Sequence, residues 1–250
     1  MLTPERQRLI LQRVKEKSVV KIQELVELTG TSESTIRRDL TQLEQGKYLK
    51  RVHGGAAKLQ GKLQEPSMIE KSSKNLQEKQ RIAKFASSFI EGGDSIYLDA
   101  GSTTFEMIPF LPIKDIVVVT NGFMHVNSLL EKGIPTYIIG GFAKLKTKAL
   151  IGRGALESLE QYHFDKCFLG VNGIHPEFGY TTPDQEEALV KHKAMRMARE
   201  SFVVADASKF SEVSFAKIAN IHESTIITDD IDEEILEKYE SKTSIKVVTA

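Results

Sequence analysis

Seven short apolar runs alternate with helical stretches through the second part of the chain. The runs are rich in β-branched residues and end in polar or glycine-containing turns, as buried strands do. Strands that alternate with helices predict a mostly parallel, doubly wound sheet, because each parallel connection needs a long crossover on one face. The predicted strands are 96–98, 116–120, 136–139, 166–169, 202–205, 225–228 and 245–248, and the predicted helices lie near 79–90, 105–110, 123–132, 184–200 and 231–239.

The N-terminal part follows a different pattern. A first helix is predicted over about 3–17, a short strand over 19–22 and a second helix over 23–29. Gly30 then breaks the chain and Ser32 caps a third helix through the free N–H groups of its first turn. Helix, short helix, glycine turn and helix is the arrangement of a helix-turn-helix.

The outward face of the third helix is suited to contact with DNA. Ile36 and Leu40 lie on an apolar stripe, while the opposite side offers two arginines and short hydroxyls with no carboxylate among them. Guanidinium groups and hydroxyls of this kind contact base edges and phosphates in a major groove. The alternative is a surface helix with two solvated arginines. The predicted contacts are Ser32, Ser34, Thr35, Arg37 and Arg38.

Asp39 needs a separate explanation, since a carboxylate that points into a groove is repelled by phosphates. It lies near the apolar stripe of the third helix, so its side chain is expected to face the body of the domain. We expect it to pair with a cation of the first helix, and Arg6 is the predicted partner.

Residues 47–55 alternate cations with apolar residues and contain no acid. Beside a helix-turn-helix, this pattern predicts a β-wing whose cations follow the phosphate backbone. The wing would contribute Lys50, Arg51 and His53. The alternative is an exposed edge strand that lysines keep soluble.

The distribution of charge separates the two parts of the chain. Lys and Arg total 34, as do Asp and Glu, yet residues 1–60 hold 12 Lys and Arg against 7 Asp and Glu. The N-terminal part is therefore basic and the rest of the chain is acidic, which suggests that only the N-terminal part binds a polyanion such as DNA. The predicted domains are a winged helix-turn-helix over 1–57, a polar linker over 58–78 and an α/β domain over 79–250.

Parallel sheets bind ligands beyond the carboxyl ends of their strands. The first predicted strand of the sheet leads into Asp99–Thr104, which holds a glycine, three consecutive hydroxyls and the start of a helix. This combination is typical of a pocket for a single phosphate monoester. The loop has no lysine and no Walker pattern, which argues against nucleoside triphosphates. The alternative is a hydroxyl-rich turn that caps a helix without a ligand.

Other strand ends lead to the same edge of the sheet. Repeated glycines there let the backbone approach a ligand, although ordinary turn chemistry also explains them. Asp184, Glu187 and Lys191 begin a long helix. Glu187 and Lys191 are four residues apart, so they either form a surface ion pair or, near a pocket, hold sugar hydroxyls. Lys209 follows a later strand, and it too either contacts a sugar hydroxyl or belongs to a surface ion pair. The predicted effector-binding residues are Asp99, Gly101, Ser102, Thr103, Thr104, Asn121, Gly140, Gly141, Asn172, Asp184, Glu187, Lys191 and Lys209.

Several classes of function lack the residues they need. The single cysteine, Cys167, lies in an apolar run, which predicts a buried thiol and excludes an intrachain disulfide. Histidines such as His125, His163 and His192 show no metal-ligand spacing, so neither a metal nor a cofactor is predicted. The sequence has no signal peptide and no apolar run of membrane-spanning length. We therefore expect a soluble, cytoplasmic protein without a membrane partner.

These motifs together resemble the DeoR family of bacterial transcription regulators. The N-terminal signature of that family is similar to Arg6-x3-Ile10-x3-Val14, followed after 17 residues by Ser32-x2-Thr35-Ile36-Arg37-Arg38-Asp39-Leu40. The second part resembles the sugar-phosphate sensor of the family at Asp99–Thr104, Thr120-Asn121, Gly140-Gly141, Thr182–Asp184, Glu187–Lys191 and Asp206–Phe210. The resemblance implies a sensor fold similar to ribose-5-phosphate isomerase.

The resemblance also implies a function. Residues 47–60 and 151–184 are most similar to repressors of the fructose operon, which implies fructose 1-phosphate as the effector. Helix-turn-helix proteins bind paired half-sites of double-stranded operator DNA, so a homo-oligomer, a dimer or a tetramer, is expected. We predict a non-enzymatic repressor that a phosphorylated sugar releases from its operator. A sugar-phosphate isomerase with an appended DNA-binding domain is the alternative.

Overall fold

The computed structural model describes residues 2–248 apart from 18, 47, 53, 59, 60, 62 and 114, and it divides into two compact units, Met1–Gly61 and Lys62–Ala250. In chain order the first unit comprises α1 (Thr3–Lys17), β1 (Val19–Lys21), α2 (Ile22–Thr29), α3 (Glu33–Gln45), β2 (Leu49–Val52) and β3 (Gly55–Lys58). The strands form an antiparallel sheet in the order β1-β3-β2. Three helices followed by a β-hairpin make up a winged helix-turn-helix, as the sequence predicts.

Apolar residues at helical spacing fill one core in the first unit: Ile10, Val14, Val20, Ile22, Leu25, Ile36, Leu40, Leu43, Leu49 and Ala56. Gly30 ends α2 in the left-handed region, with φ 64°, and its N–H donates to the carbonyl of Val26 at 2.8 Å. A glycine is required at position 55, where β3 pairs with β1, because a Cβ there would lie 2.2 Å from the carbonyl oxygen of Val20. The hairpin is therefore held in one register against the rest of the unit.

The predicted pairing of Asp39 with Arg6 is confirmed. The Nε and Nη2 of Arg6 donate to the two carboxylate oxygens of Asp39, the second at 3.1 Å, and Asp39 is 2% exposed. The hydrogen bond to Asp39 raises the pKa of the Arg6 guanidinium. Removing one partner of a buried ion pair leaves the other charge uncompensated, so this contact fixes α3 against α1.

The second unit holds the predicted parallel sheet. Its first elements are α4 (Met68–Ser73), α5 (Leu76–Ser87), β4 (Ser95–Leu98), α6 (Ser102–Phe105), a 3-10 turn (Ile108–Phe110), β5 (Val117–Thr120), α7 (Phe123–Glu131), β6 (Thr136–Ile138), β7 (Phe142–Ala143), β8 (Leu150–Ile151), α8 (Arg153–Leu159) and β9 (Phe164–Leu169). They are followed by β10 (Gly173–His175), β11 (Gly179–Thr182), α9 (Gln185–Arg196), β12 (Ala198–Val204), a 3-10 turn (Ala207–Lys209), β13 (Ala216–Ala219), another (Ile221–Glu223), β14 (Thr225–Thr228), α10 (Glu233–Glu240) and β15 (Ile245–Val247). Seven of the strands pair in parallel in the order β15-β14-β12-β9-β4-β5-β6.

Successive side chains of the sheet enter two different cores, as expected for a doubly wound sheet. Tyr97 packs in a core that α8, α9 and α10 cover, while Ile96 and Leu98 pack in a second core under α5 and α7. All seven predicted strands are present, and their carboxyl ends meet at one edge, since every pair is parallel. This edge carries the residues that the sequence assigns to a ligand.

The structure differs from the prediction in its shorter elements. Strands β10, β11 and β13 form a small antiparallel sheet, β7 pairs with β8, and α8 follows them; none of these was predicted. The helix predicted over 184–200 ends at Arg196, because Ala198 already pairs with Phe164 where β12 joins β9. The helix predicted near 105–110 is divided into α6 and a 3-10 turn that contains Pro109.

The predicted linker over 58–78 is not an open connection. Ser67 and Glu70 form a capping box that begins α4, and the N–H of Met68 donates to the carbonyl of Lys146 at 3.0 Å. Met68 is buried, and residues from 62 onward belong to the second unit. The prediction was wrong here because a six-residue helix with one buried apolar side chain has no detectable periodicity.

Candidate functional site

Helix α3 presents Ser34, Arg37 and Arg38 on its exposed face, as predicted. A carboxylate lies beside this face. Glu33, one turn earlier, accepts hydrogen bonds from Nε and Nη2 of Arg37 at 2.9 and 2.6 Å. An exposed ion pair of this kind contributes about 0.5 kcal/mol, so a phosphate or a base edge can replace Glu33 at little cost. Arg38 has no such partner among the described residues.

Three hydroxyls lie together at the start of α3. The Oγ of Ser32 accepts from the backbone N–H of Thr35 at 3.4 Å, and it lies 3.0 and 2.9 Å from the hydroxyls of Ser34 and Thr35. Ser32 therefore caps the helix, and its hydroxyl is already engaged. Ser34 is exposed, and Thr35 is partly so, at the end of the helix that enters a groove in proteins of this fold.

The β2–β3 hairpin is fastened to α3. The Nη1 of Arg51 donates to the hydroxyl of Thr41 at 3.0 Å, and its backbone N–H donates to Glu44 at 2.8 Å. Lys50 is half-buried on the same strand. The predicted contact at His53 lies outside the described residues. The wing is thus where the sequence places it, with one of its cations held against the helix.

In the second unit, the candidate pocket is built around Asp99 at the end of β4. Its Oδ2 accepts hydrogen bonds from the Lys191 ammonium and from the backbone N–H of Gly170, the latter at 3.1 Å. Asp99 is 1% exposed and Lys191 is 6% exposed. This contact joins two predicted effector residues that are 92 positions apart in the chain.

The loop after β4 divides its hydroxyls between two roles. Thr104 is fully buried, and its hydroxyl donates to the carbonyl of Asp99 at 2.5 Å and accepts from the N–H of Gly101 at 3.1 Å. Thr104 therefore holds the loop in shape. Ser102 and Thr103 are also buried, but their hydroxyls form no hydrogen bond within the described part of the chain. These two are the hydroxyls left for a ligand.

Two residues of the neighbouring β5 end support that loop. The Asn121 amide accepts from the N–H of Ala100 at 2.8 Å and donates to the carbonyl of Leu150 at 3.3 Å, so both of its ends are engaged. The Nε2 of His125, in α7, lies 3.3 Å from the Thr104 hydroxyl. Burial lowers the pKa of His125 to about 3, so its ring is neutral at physiological pH.

A second lysine, Lys144, was not predicted from the sequence and contacts the carboxylates at the start of α9. The ammonium of Lys144 lies 2.7 Å from Asp184, 3.2 Å from Glu187 and 2.5 Å from Glu65. Burial opposes its charge, but the hydrogen bonds to Asp184 and Glu65 raise the pKa of Lys144. Thr147 donates to Glu187 at 2.6 Å. Glu65, Lys144 and Thr147 have no sequence signal, because they lie in irregular segments without periodicity.

Helix α4 brings a third lysine to the same cluster. Lys71 is within electrostatic range of Glu187, Glu65, Lys191 and Asp99, and burial lowers its pKa. Lys71 was not predicted as a site residue, because α4 lies in the predicted linker. We call these residues the polar cluster: Glu65, Lys71, Asp99, Lys144, Thr147, Asp184, Glu187 and Lys191.

Three buried atoms near this cluster have no hydrogen-bond partner among the described residues. They are Oδ1 of Asp99, Oε1 of Glu65 and Nδ1 of His125. Carboxylate oxygens accept hydrogen bonds from hydroxyl groups, and an unsatisfied buried acceptor is costly. The cluster therefore offers acceptors for a hydroxyl-rich ligand beside lysines that attract an anion.

Two of the predicted effector residues, Gly141 and Asn172, have a structural explanation. Gly141 has φ +127°, and a Cβ there would lie 2.5 Å from the carbonyl oxygen of Ile151, so close packing requires a glycine. Gly140, beside it, is exposed. Asn172 accepts from the hydroxyl of Thr182 at 3.2 Å and joins the end of β9 to β11.

Lys209 belongs to a different strand end. It follows β12, which β9 separates from β4, and it lies near Asp206 and Lys79. Asp206 accepts from the N–H of Ser208 at 3.1 Å and from the Asn75 amide at 2.9 Å. The structure thus places Lys209 in a neighbouring polar group rather than in the polar cluster.

Within the described ranges, no group of three or more histidine, cysteine or acidic side chains is arranged to hold a metal ion. Cys167 is buried with a free thiol, as predicted. The described helices include none that combines the length and the apolar character needed to cross a bilayer.

Comparison with known proteins identifies both units. Residues 6–61 match the DeoR-like helix-turn-helix domain, and residues 74–230 match the DeoR C terminal sensor domain. The chain is 55% identical over 249 residues to the uncharacterized HTH-type transcriptional regulator FruR of Bacillus subtilis, covering 99% of both chains. It is 33% identical over 233 residues to the HTH-type transcriptional repressor GlcR of the same organism, covering 92% of this chain and 89% of that one.

Among solved structures, ribose 5-phosphate isomerase A from Methanocaldococcus jannaschii matches with a TM-score of 0.42 and 19% identity over 54% of this chain and 55% of that chain. A match at this level carries no inference about activity. The two relatives named above match about nine tenths or more of the chain and are named as transcription regulators, and residues 6–61 match a regulator's DNA-binding domain. These matches indicate a transcription regulator rather than an enzyme.

The neutral ring of His125 predicts a pH dependence of stability. The folded protein keeps the ring neutral down to pH about 3, whereas the unfolded chain binds a proton below about 6.5, so acid favours unfolding. Between pH 6.5 and pH ~5 the second unit is expected to lose about 2 kcal/mol from this residue. Urea unfolding, followed by the near-ultraviolet circular dichroism of buried tyrosines, measures the loss.

Replacing the residue, His125→Gln, is expected to flatten the dependence on pH, whatever its effect on stability at neutral pH. The same change at the exposed His163 serves as the control and is expected to leave the slope unaltered. Identical slopes for the wild type and His125→Gln contradict the assignment.

Proposed function

Since the chain belongs to the DeoR family of transcription regulators, we propose that it represses a sugar-utilisation operon and leaves its operator when a phosphorylated sugar binds. The observation that carries the proposal is the presence, in one chain, of a helix that exposes two adjacent arginines and a buried polar cluster at the carboxyl edge of a parallel sheet. The site of action is the cytoplasm, where operator DNA and phosphorylated sugars are both found.

In this proposal the first unit binds double-stranded operator DNA. Helix α3 enters the major groove, where Arg37 and Arg38 contact bases or phosphates and the hydroxyls of Ser34 and Thr35 add shorter contacts. Lys50, from the wing, contacts the phosphate backbone. Ser32 and Arg51 act chiefly by holding these groups in place, since their side chains are engaged within the unit.

The polar cluster suits a phosphorylated sugar better than a plain anion. Ser102 and Thr103 offer hydroxyls, and lysines offer positive charge to a phosphate. Asp99 and Glu65 offer acceptors to sugar hydroxyls, which a simple anion lacks. We propose fructose 1-phosphate as the sugar, because residues 47–60 and 151–184 resemble repressors of the fructose operon.

Release requires the sugar to favour one arrangement of the protein over another. A coupling of about 1–3 kcal/mol between the two sites lowers operator affinity by about 5- to 150-fold. The coupling is reciprocal, so operator DNA weakens sugar binding by the same factor.

A homo-oligomer is part of the proposal, and the sheet offers a surface for it. The edge strand β6 exposes Tyr137 by 54% and Ile138 by 44%, whereas the opposite edge strand, β15, exposes Lys246. A charged side chain on an edge strand prevents that strand from pairing with another chain. An exposed apolar edge strand lacks this protection and is usually buried against another element or chain. Because paired half-sites need at least two DNA-binding units, we propose that a second copy of the chain covers β6.

The variant Ile138→Lys is expected to lower the mass of the full-length protein from a dimer or tetramer to that of a monomer, because the ammonium resists burial in an apolar interface. Sedimentation velocity measures the mass. The same change at Phe178, which is 53% exposed in a turn distant in sequence, is the control. A monomeric wild type, or an unchanged mass for Ile138→Lys, contradicts the assignment.

Operator binding tests the role of α3. Arg37→Ala and Arg38→Ala are each expected to weaken binding by about 1–3 kcal/mol where the arginine contacts a base through two hydrogen bonds. Fluorescence anisotropy with an operator fragment obtained by in vitro selection measures the affinity at fixed salt. The control is Arg153→Ala, because Arg153 forms the same kind of exposed ion pair with Glu157, at 2.6 Å, in the second unit. Wild-type affinity in both α3 variants excludes α3 from the interface.

Thr103→Val tests the pocket, because it removes the hydroxyl of a buried residue while keeping the shape of the side chain. We expect unchanged operator affinity and loss of release by sugar phosphates. Release is titrated with a panel of hexose and pentose phosphates that includes fructose 1-phosphate. Thr225→Val, at the start of β14 and away from the carboxyl ends of the strands, is the control and keeps normal release. Normal release in Thr103→Val shows that the pocket lies elsewhere.

A further inference from the structure

Helix α4 lies directly against the proposed effector pocket. It packs on α6, the short helix that follows the Asp99 loop. On its other side, the N–H of Met68 donates to the carbonyl of Lys146 at 3.0 Å, and Glu65, just before the helix, binds Lys144. Residues 65–73 are therefore in contact with two segments that carry the polar cluster.

The three lysines of the polar cluster differ in their partners. Lys191 is held by Asp99, and Lys144 is held by Asp184, Glu187 and Glu65. The ammonium of Lys71 forms no hydrogen bond or ion pair within the described part of the chain, although acidic groups lie in its electrostatic range. It is the one lysine of this cluster that can take an anion without giving up an existing contact.

The state of Lys71 supports the same conclusion. Burial lowers its pKa, which means that the charged form lacks the solvation that a close partner would supply. A phosphate dianion at hydrogen-bond distance supplies it. The backbone around Lys71 is also fixed, because the Lys79 ammonium donates to the carbonyls of Lys71 and Lys74.

We propose that Lys71 binds the phosphate of the effector and that α4 is thereby a wall of the effector site. This rests on the function proposed above and adds a residue and an element to it. Glu65 completes the same wall, where its free carboxylate oxygen accepts a hydrogen bond from a sugar hydroxyl.

The proposed wall lies at the start of the second unit, because Glu65 is four residues beyond Gly61, the last residue of the first unit. A ligand that holds Lys71 and Glu65 therefore binds the segment with which the second unit begins.

Titration of the full-length protein with fructose 1-phosphate and other sugar phosphates tests the proposal. Taking the ligand that the wild type binds most tightly, Lys71→Gln is expected to raise its dissociation constant by at least about tenfold. Lys71→Arg is expected to recover most of the affinity, because it restores the charge. The matched control is Lys74→Gln, since Lys74 is exposed at the end of the same helix, and its affinity is expected to match the wild type.

The outcomes separate the two proposals. If the wild type binds no sugar phosphate, the proposed function is overturned, and the role of Lys71 with it. If the wild type binds one and Lys71→Gln binds it equally well, only the role of Lys71 is overturned. Equal losses in Lys71→Gln and Lys71→Arg indicate a packing defect and also overturn it.

Hydrogen exchange of the wild type gives a second, mutation-free test. The same ligand is expected to slow amide exchange over residues 68–73 as well as in the loop after β4. Protection of that loop with unchanged exchange in α4 overturns the proposal that α4 is a wall of the site.

Discussion

The buried ion pair between Asp99 and Lys191 is the contact on which the second unit's polar edge depends. Asp99 ends β4, Lys191 comes from α9, and the same carboxylate accepts from the backbone at the end of β9. Neither charge is stable alone at this depth, so each requires the other. The pair fixes α9 across the carboxyl ends of two central strands. Glu187, one turn earlier on α9, is thereby directed towards Lys144 and Thr147.

The fold was predictable where the sequence has a clear apolar pattern. The helix-turn-helix has apolar residues at helical spacing, and the seven parallel strands are short apolar runs between helices. The Arg6–Asp39 pair followed from the position of a carboxylate near an apolar stripe. By contrast, β7, β10 and α8 have neither an apolar run nor a detectable period, and they form through tertiary contacts. Helix α4 was missed for the same reason, in a segment whose polar composition is that of a linker.

The candidate site divides in the same way. Asp99 was assigned to this edge because parallel strands bring their carboxyl ends together. Lys191 reaches it from α9, whose first turns also carry Asp184 and Glu187. Residues from segments without a clear sequence pattern, such as Lys71 and Lys144, reach the site only through the folded chain. Sequence alone also does not separate a hydroxyl that braces the loop, as in Thr104, from one left available, as in Thr103. That distinction needs the hydrogen bonds.

The attachment of the hairpin to α3 has a consequence for how such a protein changes its target. The guanidinium of Arg51 is bonded to Thr41 and the adjoining amide to Glu44, while Gly55 locks the hairpin against the carbonyl of Val20. Helix and hairpin therefore shift as one block. In the proposed complex α3 contacts bases and the hairpin contacts phosphates, so a substitution that tilts the helix also displaces the cations of the hairpin. A change of target sequence then requires both sets of contacts to adjust together.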